Sequence, residues 1–211
     1  METTQKKKQE TKERITAFLG RVQRLTKGER TALKRALGKA AADAPAAAYA
    51  AFCRALAAPL PRWESEEPWF LCACGFCAME RLRGRQEAAA DDEQSPDGPK
   101  AQAFARCLYL LDQKNKTATM EHRLKRLSDT PLRESPAYFA QKLAGALRYL
   151  SLEGYLVRFA DLLYDLRNWD APVGGVQKAW MRAYYLSGTE SNQAEEPGEQ
   201  PNDEEDTNDA D

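Results

Sequence analysis

The sequence predicts an all-α protein, with two small helical bundles followed by a disordered acidic tail. Apolar residues recur at helical spacing along almost the whole chain, as at Ile15, Phe18, Leu19, Val22 and Leu25. No alternating pattern typical of a β-strand persists for more than a few positions. The chain has 211 residues, of which 43% are hydrophobic, and this is enough to bury one sizeable core or two small ones.

Capping patterns mark two helix starts in the first half of the chain. Thr26 and Glu29 have the spacing of a capping box, in which each side chain accepts a hydrogen bond from the backbone N–H of the other residue. This helix should end near Gly38. Ser65, followed by two glutamates and Pro68, predicts the second start, because a cap, acids in the first turn and an early proline all favour a helix N-terminus. The second helix should extend to about residue 82.

The second half of the chain predicts further helices. Residues 84–100, which precede these helices, lack the helical period and are rich in Gly, Pro, Ser and acidic residues. This composition indicates a loop between the two bundles. Pro136 after Ser135 is typical of a capped helix start. These helices are predicted near residues 101–112, 119–128, 136–152, 158–168 and 173–186. The predicted order along the chain is a disordered basic N-terminus (residues 1–10), an N-terminal bundle (11–83), a loop (84–100), a C-terminal bundle (101–188) and a disordered acidic tail (189–211).

The net charge of −1 hides a strong asymmetry along the chain. Residues 190–211 contain ten acidic residues and no basic ones, so residues 1–189 hold 22 Asp and Glu against 31 Lys and Arg. A basic body of this size suits a polyanion such as nucleic acid, whose phosphates attract Lys and Arg whatever the base sequence. The alternative is that these cations belong to solvated helix faces. The acidic tail either competes with nucleic acid for the basic body or makes the protein more soluble.

Three cysteines fall within six positions of the stretch LCACGFCAM, at Cys72, Cys74 and Cys77. On a helix, at about 100° per residue, Cys72 and Cys74 point about 200° apart, so at most two of the three share a face. A structural zinc site needs four Cys or His ligands that converge on one point, which this spacing disfavours. We therefore interpret the three as small core residues and expect neither a metal nor another cofactor. Metal binding and a redox role are the alternatives.

Neither membrane insertion nor catalysis is expected. No window approaches the roughly 20 apolar residues of a membrane span, and the start METTQKKKQE lacks the apolar stretch of a signal peptide. We expect a cytoplasmic protein with reduced cysteines. The single histidine, His122, lies next to Arg123 and far from any nucleophile motif. Because glycine-rich phosphate loops and the nucleophile elbow of hydrolases are also absent from the sequence, the chain is predicted not to be an enzyme.

Basic residues form groups on the predicted helices. Arg30, Lys34 and Arg35 project away from the apolar face of the first capped helix. Arg54 lies close to the apolar face of the next one. Arg123 and Arg126 are three residues apart and are therefore neighbours on one helix surface. Each group alone is typical of a solvated helix face. Several of them in a compact basic body indicate a continuous groove that follows a phosphate backbone.

Residues 159–185, FADLLYDLRNWDAPVGGVQKAWMRAYY, resemble the C-terminal signature of the small subunit of type I-E CRISPR Cascade complexes, the CasB family. Four upstream segments match the family in the same order, so the resemblance covers roughly residues 12–187. These segments are KGERTALKRALG, AYAAFCRAL, WFLCACGFCAM and MEHRLKRLSDT. The matching residues of the C-terminal signature are Leu162, Leu163, Asp165, Leu166, Trp169, Val176, Gln177, Trp180, Arg182, Tyr184 and Tyr185.

The resemblance implies an all-helical, non-catalytic subunit that is present in two copies in the guide-RNA complex. Its expected partners are the guide-RNA-bound backbone subunits, the large subunit and a second copy of itself. It also implies binding to the crRNA, the target DNA and the displaced non-target DNA strand without sequence preference, which stabilises the R-loop during antiviral defence. Guide pairing reads the sequence in such a complex, while protein contacts with the backbones tip a nearly balanced strand exchange.

The resemblance also implies which residues bind nucleic acid. By position in the family segments these are Arg35, Arg54 and Arg123, and neighbouring basic positions add Lys34, Arg126, Lys142 and Arg148. The chain departs from the family pattern at His122, which replaces the family's first arginine in that segment, and in its long acidic tail.

The signature aromatics Trp169, Trp180, Tyr184 and Tyr185 lie on helical spacing, so we interpret them as core or subunit interface rather than as base-stacking platforms. The competing function is a helical, sequence-specific DNA-binding regulator with its recognition helix in KGERTALKRALG. Such a regulator would prefer one operator over random duplexes.

Overall fold

The computed structural model describes residues 2–84, 101–171 and 175–187. In the first half, α1 spans Glu2–Arg24, α2 Lys27–Arg35, α3 Ala46–Leu56 and α4 Glu67–Ala78, with a short 3-10 helix at Ala41–Asp43. In the second half, α5 spans Phe104–Asn115, α6 Thr119–Ser128, α7 Pro136–Leu152, α8 Phe159–Arg167 and α9 Gly175–Tyr185. Among the described residues there is no strand, and one isolated parallel β-bridge joins Gln102 to Val157. The predicted all-α class is confirmed.

The helix positions predicted in the second half agree with the structure to within a few residues. Pro136 occupies the first turn of α7 as predicted, but the Ser135 side chain makes no capping hydrogen bond. Most of the predicted loop, from residue 85, and the acidic tail lie outside the described residues. None of the helices in the described part of the chain is long and apolar enough to cross a membrane.

The capping box at the start of α2 is confirmed. The Glu29 backbone N–H donates to Thr26 Oγ1 at 3.3 Å, and the Thr26 backbone N–H donates to Glu29 Oε2 at 2.8 Å. Beyond the end of α2, Gly38 has a φ of +96°, a conformation that glycine adopts without steric cost. The chain therefore stops its helix at the predicted place and turns toward α3.

Two predicted boundaries are corrected by the structure. Residues 1–10 do not form a disordered N-terminus throughout, because α1 begins at Glu2. Lys, Gln and Glu favour helix, so α1 extends outward from the part of the helix that Ile15 and Phe18 anchor in the core. The second correction concerns α4, which ends at Ala78 before residues 80–84 resume a helical conformation. The predicted end near residue 82 therefore merged two segments.

Helix α4 lies at the centre of the fold and is apolar on every side. Residues 68–77 are all buried, and the helix packs against α1, α2, α7 and α8. Gly75 permits this close approach, because a Cβ at this position would lie 2.8 Å from Leu147 Cδ1 and 3.0 Å from Phe159 Cε1. Buried side chains from both halves of the chain form one continuous cluster around α4. The division into two separate bundles stays a prediction.

A buried carboxylate connects α1, α4 and α8. Arg167 Nε donates to Glu64 Oε1 at 2.5 Å, Trp69 Nε1 donates to the same oxygen at 2.8 Å, and Arg14 forms an ion pair with Oε2. Both guanidinium groups lie over the Trp69 ring, at 4.8 and 5.3 Å from a ring centroid. Burial alone would raise the pKa of Glu64, but the hydrogen bonds from Arg14 and Trp69 and the charge of Arg167 outweigh it. The pKa of Glu64 is therefore lowered.

Candidate nucleic-acid interface

The seven basic residues predicted to bind nucleic acid all have solvent-accessible side chains. They are distributed over α2, α3, α6 and α7, so no single helix supplies the predicted site. Accessibility is necessary for a phosphate contact, but the neighbours of each cation decide how it is oriented and whether its charge is already neutralised. The exposed residues are Lys34, Arg35, Arg54, Arg126 and Arg148, and the half-buried ones are Arg123 and Lys142.

The exposed side of α7 combines cations with tyrosine rings. Tyr138, Lys142, Gly145 and Tyr149 lie within an arc of about 60° around the helix axis, at about 100° per residue. Lys142 Nζ lies 4.5 Å from the centroid of the Tyr138 ring. Arg123 reaches the same surface from α6, with its Cζ 4.6 Å from the centroid of the Tyr149 ring. We call the surface formed by Tyr138, Lys142, Gly145, Tyr149 and Arg123 the α7 face.

Gly145 gives Arg123 the space to lie across α7. A Cβ at position 145 would lie 3.1 Å from Arg123 Nη1, so a larger residue would displace the guanidinium group. In the described part of the chain, neither Arg123 nor Lys142 forms an ion pair with a carboxylate. Helix α7 itself contains no Asp or Glu over its 17 residues. The two cations of the α7 face therefore keep their charge available to an anion.

Arg148 lies on the opposite edge of the exposed side of α7 and joins it to α2. Its Nη2 donates to the Leu37 carbonyl oxygen at 3.0 Å, just beyond the end of α2, where backbone carbonyls lack partners within the helix. Gly38 keeps the approach close, since a Cβ there would lie 3.3 Å from an alanine of α7. The contact brings the end of α2, which carries Lys34 and Arg35, next to α7.

The structure separates Arg54 from this surface. Arg54 forms an ion pair with Glu29 at the start of α2, which is the other end of that helix from the Arg148 contact. Its side chain is 69% exposed, so the pair is open to solvent and weakly held. Arg126 is exposed on α6, one turn beyond Arg123. Arg123 and Lys142 thus belong to the α7 face and Arg148 lies at the edge of the same exposed side, whereas Arg54 is separated from this surface.

The signature aromatics are mostly core residues, as predicted. Trp169 Nε1 donates to the Thr130 carbonyl oxygen at 2.9 Å, and Trp180 Nε1 donates to Asp165 Oδ2 at 2.7 Å, so their polar atoms are satisfied inside the protein. Tyr185 differs, because its side chain is half exposed. The three buried members of the signature are Trp169, Trp180 and Tyr184.

Sequence reasoning missed Asp112, the buried residue that positions α6. Its Oδ2 accepts hydrogen bonds from the backbone N–H groups of Met120 and Glu121, both at 2.9 Å, and from the Tyr184 hydroxyl at 2.7 Å. A carboxylate at the start of a helix satisfies free N–H groups and favours the helix dipole. Asp112 therefore fixes the start of the helix that carries Arg123. No local pattern indicates this role, because the partners lie on other helices.

The three cysteines of α4 are confirmed as core residues. Cys72, Cys74 and Cys77 are buried, and burial raises the pKa of each thiol, to about 12 for Cys77. Such thiols are poor nucleophiles because little thiolate forms near neutral pH. Within residues 2–84, 101–171 and 175–187, no group of three or more His, Cys, Asp or Glu side chains is placed to hold a metal ion.

Comparison with known proteins places these features in a family. The family model described as CRISPR-associated protein Cse2 matches residues 29–185, which is most of the chain and includes all seven predicted site residues. The chain belongs to the CRISPR-associated Cse2 family. The resemblance to CasB proteins is confirmed with it, since solved structures of both names match the chain. No curated protein matches the sequence.

Solved structures of Cse2 and CasB proteins have the same fold as this Cse2-family chain. A Cse2-family CRISPR-associated protein from Thermus thermophilus is 27% identical with a TM-score of 0.59, and 82% of this chain and 97% of that chain are covered. A structure of CasB from Thermus thermophilus is 26% identical with a TM-score of 0.58, covering 81% and 97%. A chain of a CRISPR RNA-guided surveillance complex, 20% identical, shares the fold with a TM-score of 0.63 and coverage of 88% and 99%.

Proposed function

We propose that this Cse2-family chain is a non-catalytic small subunit of a cytoplasmic type I-E CRISPR surveillance complex and binds nucleic acid without sequence preference. The observation that carries the proposal is the exposed side of α7, a helix without acidic residues, where Arg123 and Lys142 lie over tyrosine rings and Arg148 lies at the edge next to α2. Family membership and the shared fold with a chain of an RNA-guided surveillance complex support the proposed assembly.

The proposed mechanism is stabilisation of the R-loop through contacts with phosphates. When guide RNA pairs with the target strand, the new heteroduplex is about as stable as the DNA duplex that it replaces. Contacts between protein cations and the two DNA backbones therefore tip the balance toward the open state. Each cation that neutralises a phosphate releases a counterion, which makes the binding sensitive to salt but not to base sequence. Lys34, Arg35 and Arg126 extend the proposed surface on either side of α7.

The proposed protein partners are the backbone subunits that hold the crRNA, the large subunit and a second copy of this chain. These contacts require surfaces other than the α7 face. The loop before α4 presents Trp63, whose side chain is 72% exposed. A large exposed aromatic residue is typical of the centre of a protein interface. Trp63 is the residue that we propose as an anchor for one of these subunits.

Charge-removing variants in the reconstituted complex test the nucleic-acid proposal. Arg123→Gln and Arg148→Gln should each speed the dissociation of target DNA, and each lost contact with a single strand should reduce the salt dependence of binding by about 0.7 in slope. Arg158→Gln is the matched control, because it removes the same charge from an exposed residue that precedes α8 and pairs with Asp161 in the first turn of that helix. Lys34, Arg35, Arg54, Arg126 and Lys142 are tested in the same way.

Unchanged dissociation and an unchanged salt slope in both arginine variants contradict the proposed site. A strong preference for one duplex among random sequences points instead to the sequence-specific regulator. Complexes that assemble normally with the variants but release DNA faster show that the residues contact nucleic acid rather than partner subunits.

A further inference from the structure

The α7 face presents two exposed tyrosine rings whose role phosphate binding does not explain. Tyr138 is 47% exposed and Tyr149 is 45% exposed, whereas Phe139 and Leu150, the residues next to them in sequence, are buried. The two tyrosines are eleven residues apart, so they lie on the same side of α7 and about 16 Å apart along its axis, at about 1.5 Å per residue. The helix therefore holds two aromatic rings at a fixed spacing in solvent.

Each ring is paired with a cation that also belongs to the α7 face. Lys142 Nζ is 4.5 Å from the centroid of Tyr138, and Arg123 Cζ is 4.6 Å from the centroid of Tyr149. Such pairs limit the orientations that an exposed ring adopts. They also place a positive charge close to each ring. A nucleotide could therefore stack its base on the ring while its phosphate contacts the cation.

The space around the second pair is provided by the backbone. At Gly145 a Cβ would lie 3.1 Å from Arg123 Nη1, so the absence of a side chain leaves room for the guanidinium group to reach the Tyr149 ring. Arg123 Nε is buried and has no hydrogen-bond partner among the described residues. This guanidinium group is therefore held by packing over the ring rather than by a carboxylate.

We propose that the α7 face is a base-stacking site for single-stranded nucleic acid, in which Tyr138 and Tyr149 stack on bases while Lys142 and Arg123 contact the adjoining phosphates. The inference rests on the proposed function and makes it more specific. Bases in a duplex are already stacked on their neighbours, whereas a single strand presents free base faces, so the site distinguishes a displaced strand from a duplex. The lack of acidic residues on α7 favours an anionic strand over a basic protein partner.

Variants that remove the rings but keep the charges test the proposal in the full-length protein. Tyr138→Leu and Tyr149→Leu should each weaken binding to a labelled oligothymidine single strand by about 5- to 150-fold. The salt slope should stay the same, because no phosphate contact is removed. Binding to a duplex of the same length should also stay the same. The controls Tyr138→Phe and Tyr149→Phe keep the ring and should bind the single strand within about twofold of the wild type.

The outcomes separate this inference from the function on which it rests. If the wild-type protein binds neither single strand nor duplex, the proposed function is wrong. If it binds the single strand and the leucine variants bind equally well, only the stacking site is wrong. Leucine variants that bind the single strand normally but fail to enter the surveillance complex show that the α7 face contacts a protein subunit, which also overturns the inference. Unchanged thermal unfolding of the leucine variants confirms that the fold is intact.

Discussion

Glu64 pairs with two arginines that are far apart in the sequence, Arg14 and Arg167. Replacing Glu64 therefore measures how much this ion-pair cluster stabilises the fold. The side chain is 5% exposed, that of Arg167 is 11% exposed, and that of Arg14 is 38% exposed. Removing one partner from a buried ion pair leaves an uncompensated charge, which typically costs about 3–5 kcal/mol. Since Arg14 is partly solvated, we expect Glu64→Gln to lower the free energy of unfolding by about 2–3 kcal/mol.

Urea unfolding of Glu64→Gln measures this loss. Glu153→Gln is the control, because Glu153 forms an ion pair with Lys114 at 2.8 Å on the surface, where solvent screens the charges and the pair adds little to stability. Equal stability losses in the two variants would show that the Glu64 ion pairs stabilise the fold no more than an exposed pair does.

The pH dependence of the same variant follows from the lowered pKa of Glu64. A carboxylate with a pKa below its ordinary value of 4.5 stabilises the folded state above pH 4.5, and this stabilisation is lost as the pH falls through the folded-state pKa. The difference in unfolding free energy between wild type and Glu64→Gln should be constant from about pH 7 to about pH 5 and should shrink below about pH 4. A difference that grows on acidification would contradict the assigned direction.

At the residue scale, the sequence predicts local contacts better than distant ones. The hydrogen bonds between Thr26 and Glu29 were predictable because both partners belong to one helix turn. The contact of Arg148 with Leu37 was not, because the two residues are 111 positions apart. The family resemblance indicated Arg123 as a binding residue, but only the packing of α6 against α7 shows that it lies over Tyr149.

Among the helices, α4 shows what an apolar pattern predicts. Cys72, Cys74 and Cys77 do not share one face of α4, yet all three are buried because the helix has neighbours on every side. A helix that is apolar all round is expected at the centre of a fold. Which helices surround it depends on packing between distant segments, and no spacing rule supplies that information.

Gly75 allows the packing around α4 to be tested. Its Cβ would lie 2.8 Å from Leu147 and 3.0 Å from Phe159, so a larger side chain overpacks the contact with α7 and α8. We expect Gly75→Val to lower the free energy of unfolding by about 1–3 kcal/mol. Gly20→Ala in α1 is the control: a Cβ there meets nothing within 4 Å, so the change should stabilise the protein by about 0.5–1 kcal/mol. Thermal unfolding measures the stability of both variants. A Gly75→Val protein more stable than the wild type would contradict the close packing of α4 against α7 and α8.

For the whole molecule, composition predicted a basic body but not its arrangement. The surplus of positive charge in residues 1–189 is visible in the sequence, whereas the separation of Arg54 from Arg148 at the two ends of α2 is not. The composition also does not show which cations already form hydrogen bonds within the protein. Arg21, for instance, donates to the Ala55 and Leu56 carbonyl oxygens at the end of α3. Charge counts therefore overstate the surface that is available to nucleic acid.

The same charge count predicts the effect of the acidic residues 190–211 on binding. The last described residues lie beside α6, since the Tyr185 hydroxyl donates to Glu121 at 2.6 Å and Lys125 Nζ lies 5.9 Å from the Tyr185 ring. The acidic segment is thus attached next to the helix that carries Arg123 and Arg126. Removing residues 190–211 changes the net charge from −1 to +9, because ten acidic residues are lost.

Without the acidic segment, we expect the association of the protein with single-stranded DNA to be about tenfold faster at low salt, with the gain disappearing as salt screens the charges. Stopped-flow measurements at several salt concentrations test this expectation. A full-length variant in which all ten acids are replaced by Asn and Gln is the control, because it keeps the length while removing the charge. If truncation speeds association and the neutral variant does not, length rather than charge is responsible. If neither does, the acidic segment does not compete with nucleic acid for the basic body.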